Sequence, residues 1–287
     1  MKYSQQKYRH TTVGGIWICL IVGGCLAMVA AGCDSSFQPV MENEQYFFSM
    51  YGYLDASADT QWVRIAPART QLEMPDDIPE MQVTLREMES GRSAVMKDSL
   101  FQLDNGVNML NFWTTMDLKP QHTYRLKAER KDGAYSSVTV TIPPDFPQPR
   151  LGYAQMGCSA TVSIREVERL ADIQSVWQFH INQAGYKRVD LYRFSYRDQA
   201  YGLSGGYTVT IDPIREREHI NVPDGDARLT ERYLWVASGG PEWVEGVDSL
   251  DNITYTLPEG FSNVTDGLGY VVGIISKKIP YKECSPQ

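Results

Sequence analysis

The sequence predicts a mainly β protein. An N-terminal immunoglobulin- or transthyretin-like sandwich is followed by a β-rich second domain, a curved sheet or partial barrel with one or two short helices. Three observations carry this expectation. Short runs of alternating polar and apolar residues recur along the chain, turn residues such as Asp-Gly sit between them, and a proline cluster divides the runs into two groups. Alternation with period two gives each face of a strand its own set of side chains, and glycine supplies the positive φ of a tight hairpin turn.

The first 43 residues stand apart from that pattern. Lys2, Lys7 and Arg9 precede an uncharged run from Val13 to Gly32, the layout of an export signal. The run ends in Val29-Ala30-Ala31-Gly32-Cys33. Lipoprotein signal peptidase needs small residues before the cysteine, and here Ala30 stands where leucine is usual. The expectation is a signal peptide over 1–32, lipid attachment at Cys33 and a polar tether over 33–43. An uncleaved membrane anchor is the alternative, since about 19 residues at about 1.5 Å each nearly cross about 30 Å of hydrocarbon. Gly14, Gly15, Gly23 and Gly24 loosen such a helix, and polar Asp34-Ser35-Ser36 reads as a tether. With each buried methylene contributing about 0.8 kcal/mol, two or more acyl chains hold a protein firmly on its bilayer.

The sandwich is expected over 44–142, with strands at 46–54, 61–66, 81–85, 94–103, 108–115, 121–130 and 134–142. Met81, Val83 and Leu85 alternate with Gln82, Thr84 and Arg86, the pattern of a half-buried strand. Glu89-Ser90-Gly91, Asp104-Asn105-Gly106 and Lys131-Asp132-Gly133 supply the turns. About seven short strands in about 100 residues fit a sandwich. Pro143, Pro144, Pro147 and Pro149 cannot donate ladder bonds, so 143–149 reads as a stiff linker and domain boundary.

The second domain, 150–287, is read as strands at 175–181, 189–196, 207–211, 252–257 and 269–276. In the first of these Trp177, Phe179 and Ile181 share one face, and Val176, Gln178 and His180 the other. Helical character is expected at 164–170 and 227–237, the latter with Asp224 or Asp226 as N-cap.

Cysteine usage fits an exported protein. Cys19 and Cys25 leave with the signal and Cys33 is acylated, so Cys158 and Cys284 remain as a disulfide candidate or as two buried thiols. A bond between them would contribute up to roughly 5 kcal/mol through loop closure. Losing the three basic residues of the signal moves the net charge from −8 to −11. So acidic a chain has no electrostatic footprint for nucleic acid, and its contact with a membrane would run through the lipid anchor.

Catalytic constellations are weak, and the chain is read as no enzyme, with no cofactor and no metal. Gly202-Leu203-Ser204-Gly205-Gly206 has the spacing of a serine-hydrolase elbow, but that elbow joins a strand to a helix, and here the strand-like Tyr207-Thr208-Val209-Thr210-Ile211 follows. A hairpin loop is the simpler reading, with His219 as the only base nearby in sequence. Asn221, Asp224, Asp226 and Glu231 offer oxygens for calcium without the spacing of an EF-hand, and a turn capping a helix is the preferred reading. His122, His180 and His219 are scattered, with His122 and His180 read as solvent-facing strand residues.

Aromatic residues are the enriched class, with 17 Tyr and 6 Trp. Trp235 and Trp243 flank Gly239-Gly240-Pro241, and Tyr196 and Tyr201 flank an Arg-Asp turn. These four are the candidate ligand-binding residues, as stacking platforms for a glycan or as a protein hot spot; core packing is the competing reading.

The order of features resembles a family of two-domain Bacteroidota lipoproteins known only as a domain of unknown function, often encoded near TonB-dependent outer-membrane receptors. The resemblance rests on the Cys33 lipobox, Tyr51-Gly52-Tyr53-Leu54, Leu118-Lys119-Pro120 with Thr123-Tyr124-Arg125-Leu126, Lys131-Asp132-Gly133 and Val140-Thr141-Ile142-Pro143. Its most distinctive piece is Ser262-Asn263-Val264-Thr265-Asp266-Gly267-Leu268-Gly269-Tyr270, after which Val271-Val272-Gly273 departs from the family pattern. It implies a lipid-anchored outer-membrane protein, periplasmic or surface-exposed, with a TonB-dependent receptor or another envelope protein as partner. It carries no catalytic residues.

Overall fold

Alternation builds the first group of strands. In β1 (Phe48–Asp55) Phe48, Met50 and Leu54 are buried, while Ser49, Tyr51 and Tyr53 are half-buried. In β2 (Gln61–Pro67) Val63 and Ile65 point inward and Trp62 and Arg64 outward. β3 (Met81–Glu87), β4 (Ser93–Val95), β5 (Lys97–Gln102), β6 (Asn108–Thr114), β7 (Thr123–Arg130) and β8 (Tyr135–Thr141) follow. The turn between β7 and β8 is the expected Lys131-Asp132-Gly133, where the Asp132 carboxylate accepts the Ala134 amide at 3.1 Å. A sheet ordered β4-β3-β7-β8 supplies Val83, Leu85, Leu126, Val138 and Val140 to the same core as β1, β2 and β6, so this half is a β-sandwich.

The structure, a computed structural model, describes residues 46–68, 80–102, 108–153, 159–183, 186–220, 227–244, 250 and 261–281. Cys33, Cys158, Cys284, the 252–257 strand and Asn221, Asp224 and Asp226 lie outside them. Among the described residues no helix is long and apolar enough to cross a membrane.

The second group comprises β9 (Arg150–Tyr153), β10 (Ala160–Arg165), β11 (Leu170–Gln183), β12 (Tyr186–Ser195), β13 (Tyr201–Leu203), β14 (Gly206–Ile211), the α-helix α1 (Pro213–His219), β15 (Ala227–Gly239) and β16 (Gly267–Pro280). A small sheet ordered β13-β14-β10-β9 contributes Val162, Ile164, Val209 and Ile211 to a core shared with Ile173, Leu234, Val236 and Ile275 from the long strands.

The two groups share one sheet. β16 runs parallel to β1, with Met50 opposite Gly269 and Tyr53 opposite Val272, giving the order β12-β11-β15-β16-β1-β2-β6-β5. A parallel neighbour covered on both faces favours a continuous apolar run, and Tyr270, Val271, Val272, Ile274 and Ile275 of β16 are all buried. Residues Asn43–Gln287 form one unit. The proline segment 143–149 links the two strand groups within that unit. Phe146 is buried in the common core, Asp145 pairs with Lys277 at 2.8 Å, and Gln148 donates to the Lys278 carbonyl at 3.2 Å.

Two expected helices are corrected. Residues 160–165 form β10, and the expected 164–170 helix gives way to a bend before β11. Residues 227–239 form β15, pairing with β11 along nearly its whole length and with β16 over Tyr233–Gly239. Sheet pairing on both sides overrides local propensity here. The helix that does form lies elsewhere, directly after β14. Asp212 caps it, accepting the Ile214 and Arg215 amides at 3.1 and 3.2 Å, and Pro213 occupies its first turn.

Candidate functional site

The outer face of the eight-stranded sheet carries two adjacent cross-strand rows. Tyr51, Arg64 and Asn111 lie opposite one another on β1, β2 and β6, and Tyr53, Trp62 and Trp113 form the next row. Directly opposed side chains in an antiparallel pair stand about 4.5–5.5 Å apart, so the second row is a strip of rings. Trp62 stacks on Trp113 with centroids 5.8 Å apart at 29°, and Phe101 of β5 lies 5.8 Å from Trp62. Lys97 sits 4.8 Å over the Trp113 ring.

Residues of β15 and β12 complete the lining beside this strip. Trp235 of β15 lies 6.4 Å from Tyr53, and Tyr233 and Arg193 close the opposite wall. The result is a groove of about 440 Å³ that draws on both strand groups. That volume suits a small molecule or a few units of an oligomer. Its polar groups differ in what they leave available. Gln61 is engaged with the Asp55 backbone at 2.8 Å in both directions. Burial raises the Asp55 pKa, and bonds from Ser276 and Ser57 offset part of that rise while holding the carboxylate. Arg193 donates to Gln174 at 3.0 Å. Arg64 and Asn111, both half-buried on the floor, bond to no other described residue through their side chains.

Of the four aromatic residues chosen from sequence, one lines this groove. Trp235 is half-buried there. Trp243 is core, 5 % exposed, packed with Tyr270 under a segment fastened by the Tyr270 hydroxyl. Burial pushes that phenol up to about 12. Tyr196 is also buried, donating to Glu216 at 2.6 Å, and burial first and Glu216 second raise its pKa. Tyr201 is 71 % exposed on β13, away from the groove. Sequence reasoning missed Tyr51, Trp62, Arg64, Asn111 and Arg193. Each sits in an ordinary alternating strand, and only the pairing register brings them together.

The other candidates resolve locally. Ser204 lies in the turn of the β13–β14 hairpin, as the following strand implied, and His219 bonds the Arg215 carbonyl one helical turn back at 2.7 Å. Glu231 pairs with Lys278 at 2.6 Å. His180 is exposed on β11, whereas His122 is half-buried in the turn before β7 with Nδ1 2.7 Å from Glu87. Glu87, Glu89 and His122 present three ligand-type atoms close together. Two cations already occupy the approach, Arg92 at 3.3 Å and Lys119 at 3.4 Å from Glu87, and the Ser90 hydroxyl donates at 2.5 Å. The chemistry is that of an ion-pair knot tying a turn. The Ser90 bond first, then His122 and Lys119, hold the Glu87 carboxyl down to about 2. Stability from this knot is expected to be complete above the ordinary glutamate value of 4.5 and to be lost as pH falls toward 2. Glu87→Gln should flatten the acid limb of the unfolding curve between those values; an unchanged limb would remove Glu87 as its cause.

A second cavity of about 780 Å³ opens beside the β13–β14 hairpin. Its wall combines the backbone of Gly202, Gly205, Gly206, Gly239 and Gly240 with polar residues that include Gln121, Glu166, Arg169 and Tyr207.

No protein-family model and no curated protein matches the sequence. Among solved structures, a pullulanase complexed with maltotriose from Anoxybacillus sp. LM18-11 aligns at 10% identity and a TM-score of 0.24, over 66% of this chain and 24% of that one. The FN1–FN3 domains of chicken CNTN1 align at 9% identity and a TM-score of 0.25, over 67% of this chain and 59% of that one. The chain thus spans about a quarter of the first and under two thirds of the second, and likeness at this level carries no functional argument.

Proposed function

We propose that this chain is a cell-envelope lipoprotein, tethered through Cys33, whose folded part binds a glycan in the groove across β6, β2, β1 and β15. The strip Trp113–Trp62–Tyr53–Trp235 carries this reading. Sugar rings present C–H faces that pack on aromatic faces, while planar amide and guanidinium groups beside them bond the hydroxyls. Asn111 and Arg64 are placed for the second task. A role accessory to an outer-membrane, TonB-dependent transport system rests on the sequence resemblance and fits capture of a nutrient before import.

Glycan-array screening of the wild-type protein, followed by titration of the best saccharide, tests the reading. Trp62→Ala and Trp235→Ala should each weaken binding by about tenfold or more with the fold intact. A protein that binds no saccharide, or variants that bind as well as wild type, would overturn it.

A further inference from the structure

We infer that the groove selects saccharides bearing a carboxylate, and that Arg64 is the residue that reads the acid. The inference rests on the glycan reading above and narrows its substrate class. Arg64 is half-buried between Tyr51 and Asn111, its cross-strand neighbours, and makes no ion pair or hydrogen bond with a described residue. The guanidinium is charged at every accessible pH and presents a planar fork that matches a carboxylate with two parallel bonds. Holding such a group in a cleft without a counter-charge costs desolvation that an anionic ligand would recover.

The surroundings sharpen the point. The protein is strongly acidic overall, with a formal net charge of −8, so a cleft cation that pairs with no described residue runs against the general trend. Among the described residues, the one carboxylate that borders the groove is Asp55, and it is drawn into bonds with Ser276 and Ser57 instead of reaching Arg64. Arg193 adds a second guanidinium on the far wall, held in place by Gln174.

An acidic peptide fits less well. Extended peptides are gripped through main-chain bonds at an open strand edge. The strands flooring this groove, β1, β2 and β6, are paired on both sides. The floor therefore offers mainly rings and side chains, since over Gln61–Arg64 and Asn111–Thr114 the β2 and β6 backbones already pair with each other.

Calorimetric titration of the full chain in detergent, at low salt, decides the matter with four probes: an oligogalacturonate, a neutral oligosaccharide of the same length, a poly-glutamate peptide and inorganic phosphate. The expected result is a clear preference for oligogalacturonate over the other three. Arg64→Gln should lose about tenfold to a hundredfold of that affinity while leaving the neutral sugar unchanged, and Arg64→Lys should fall between. Equal binding of the acidic and neutral sugars would overturn this inference and leave the glycan reading standing. Binding of poly-glutamate or phosphate as tight as that of oligogalacturonate would overturn the saccharide class. Absence of binding to either sugar would remove both readings. Because the wild-type preference is itself diagnostic, the test stands even where an Arg64 variant fails to fold.

Discussion

Gly269→Ala is expected to lower unfolding free energy by about 3 kcal/mol or more, read as a shift of the denaturant midpoint. Gly269 has φ of 118°, a conformation that side chains with a β-carbon rarely adopt. A β-carbon there would also collide with the Met50 carbonyl oxygen across the β1–β16 pairing. Neighbouring Gly267 is almost as confined, with a β-carbon 2.6 Å from the Phe48 carbonyl oxygen. Gly133 supplies the comparison. Its φ of 87° is also positive, yet a β-carbon there meets nothing within 4 Å. Gly133→Ala should therefore cost only the conformational part, about 1 kcal/mol. Equal losses in the two variants would mean that close approach of β1 to β16 contributes nothing.

Glu216→Ala should be as damaging, at about 3–5 kcal/mol, because it strands buried donors. The carboxylate is 2 % exposed and accepts from the Ser175 hydroxyl at 2.7 Å, Trp177 Nε1 at 2.5 Å, the Tyr196 hydroxyl at 2.6 Å and the Tyr281 hydroxyl at 3.0 Å. Those donors come from β11, from the residue after β12 and from the residue after β16, so the short helix α1 delivers one acceptor that ties three parts of the second half together. Arg232, also buried, stacks between the Trp177 and Tyr281 rings at 4.3 and 3.8 Å and supplies nearby positive charge. Thermal unfolding of Glu216→Ala and Glu216→Gln separates the contributions. Gln keeps one acceptor and the volume, so it should recover part of the loss. Wild-type stability in the alanine variant would show that these donors find other partners.

The strands of the first half were legible because each has at least one partner close in sequence and most alternate buried with more exposed residues, although Ser136, Ser137 and Val138 of β8 are buried in succession. Their alternation survives, and the Lys131-Asp132-Gly133 turn is local chemistry. The second half hid its long strands for the opposite reason. β11 is buried on both faces from Leu170 to Trp177, so it lacks a solvated face there, although Trp177 and Phe179 do share a face, their rings stacked with centroids 6.5 Å apart. β15 likewise loses alternation toward Gly239, and its mixed charges imitate a helix. The segment Ser262–Tyr270, distinctive in sequence only by resemblance, has a physical reason in the structure. Asn263 bonds the Val271 backbone in both directions, at 2.7 and 3.1 Å, and the glycines beyond it admit the β1 backbone. Trp235 could be picked out as a large aromatic residue beside a Gly-Gly-Pro turn. Arg64 could not, since nothing in Trp62-Val63-Arg64-Ile65 announces that Tyr51 and Asn111 will flank it.

Ser276 near the end of the chain bonds Asp55 near the start of the fold, 221 residues away. Such a closure is slow, because distant segments must meet before the contact repays the entropy of bringing them together. A chain emerging from its amino end would hold β1 with one flank open until almost everything else had been made. During that interval the open flank is a site for mispairing with other chains, and a holding chaperone would be most useful there. Shortening the polypeptide ahead of β16 should thus yield aggregates instead of a smaller soluble fold.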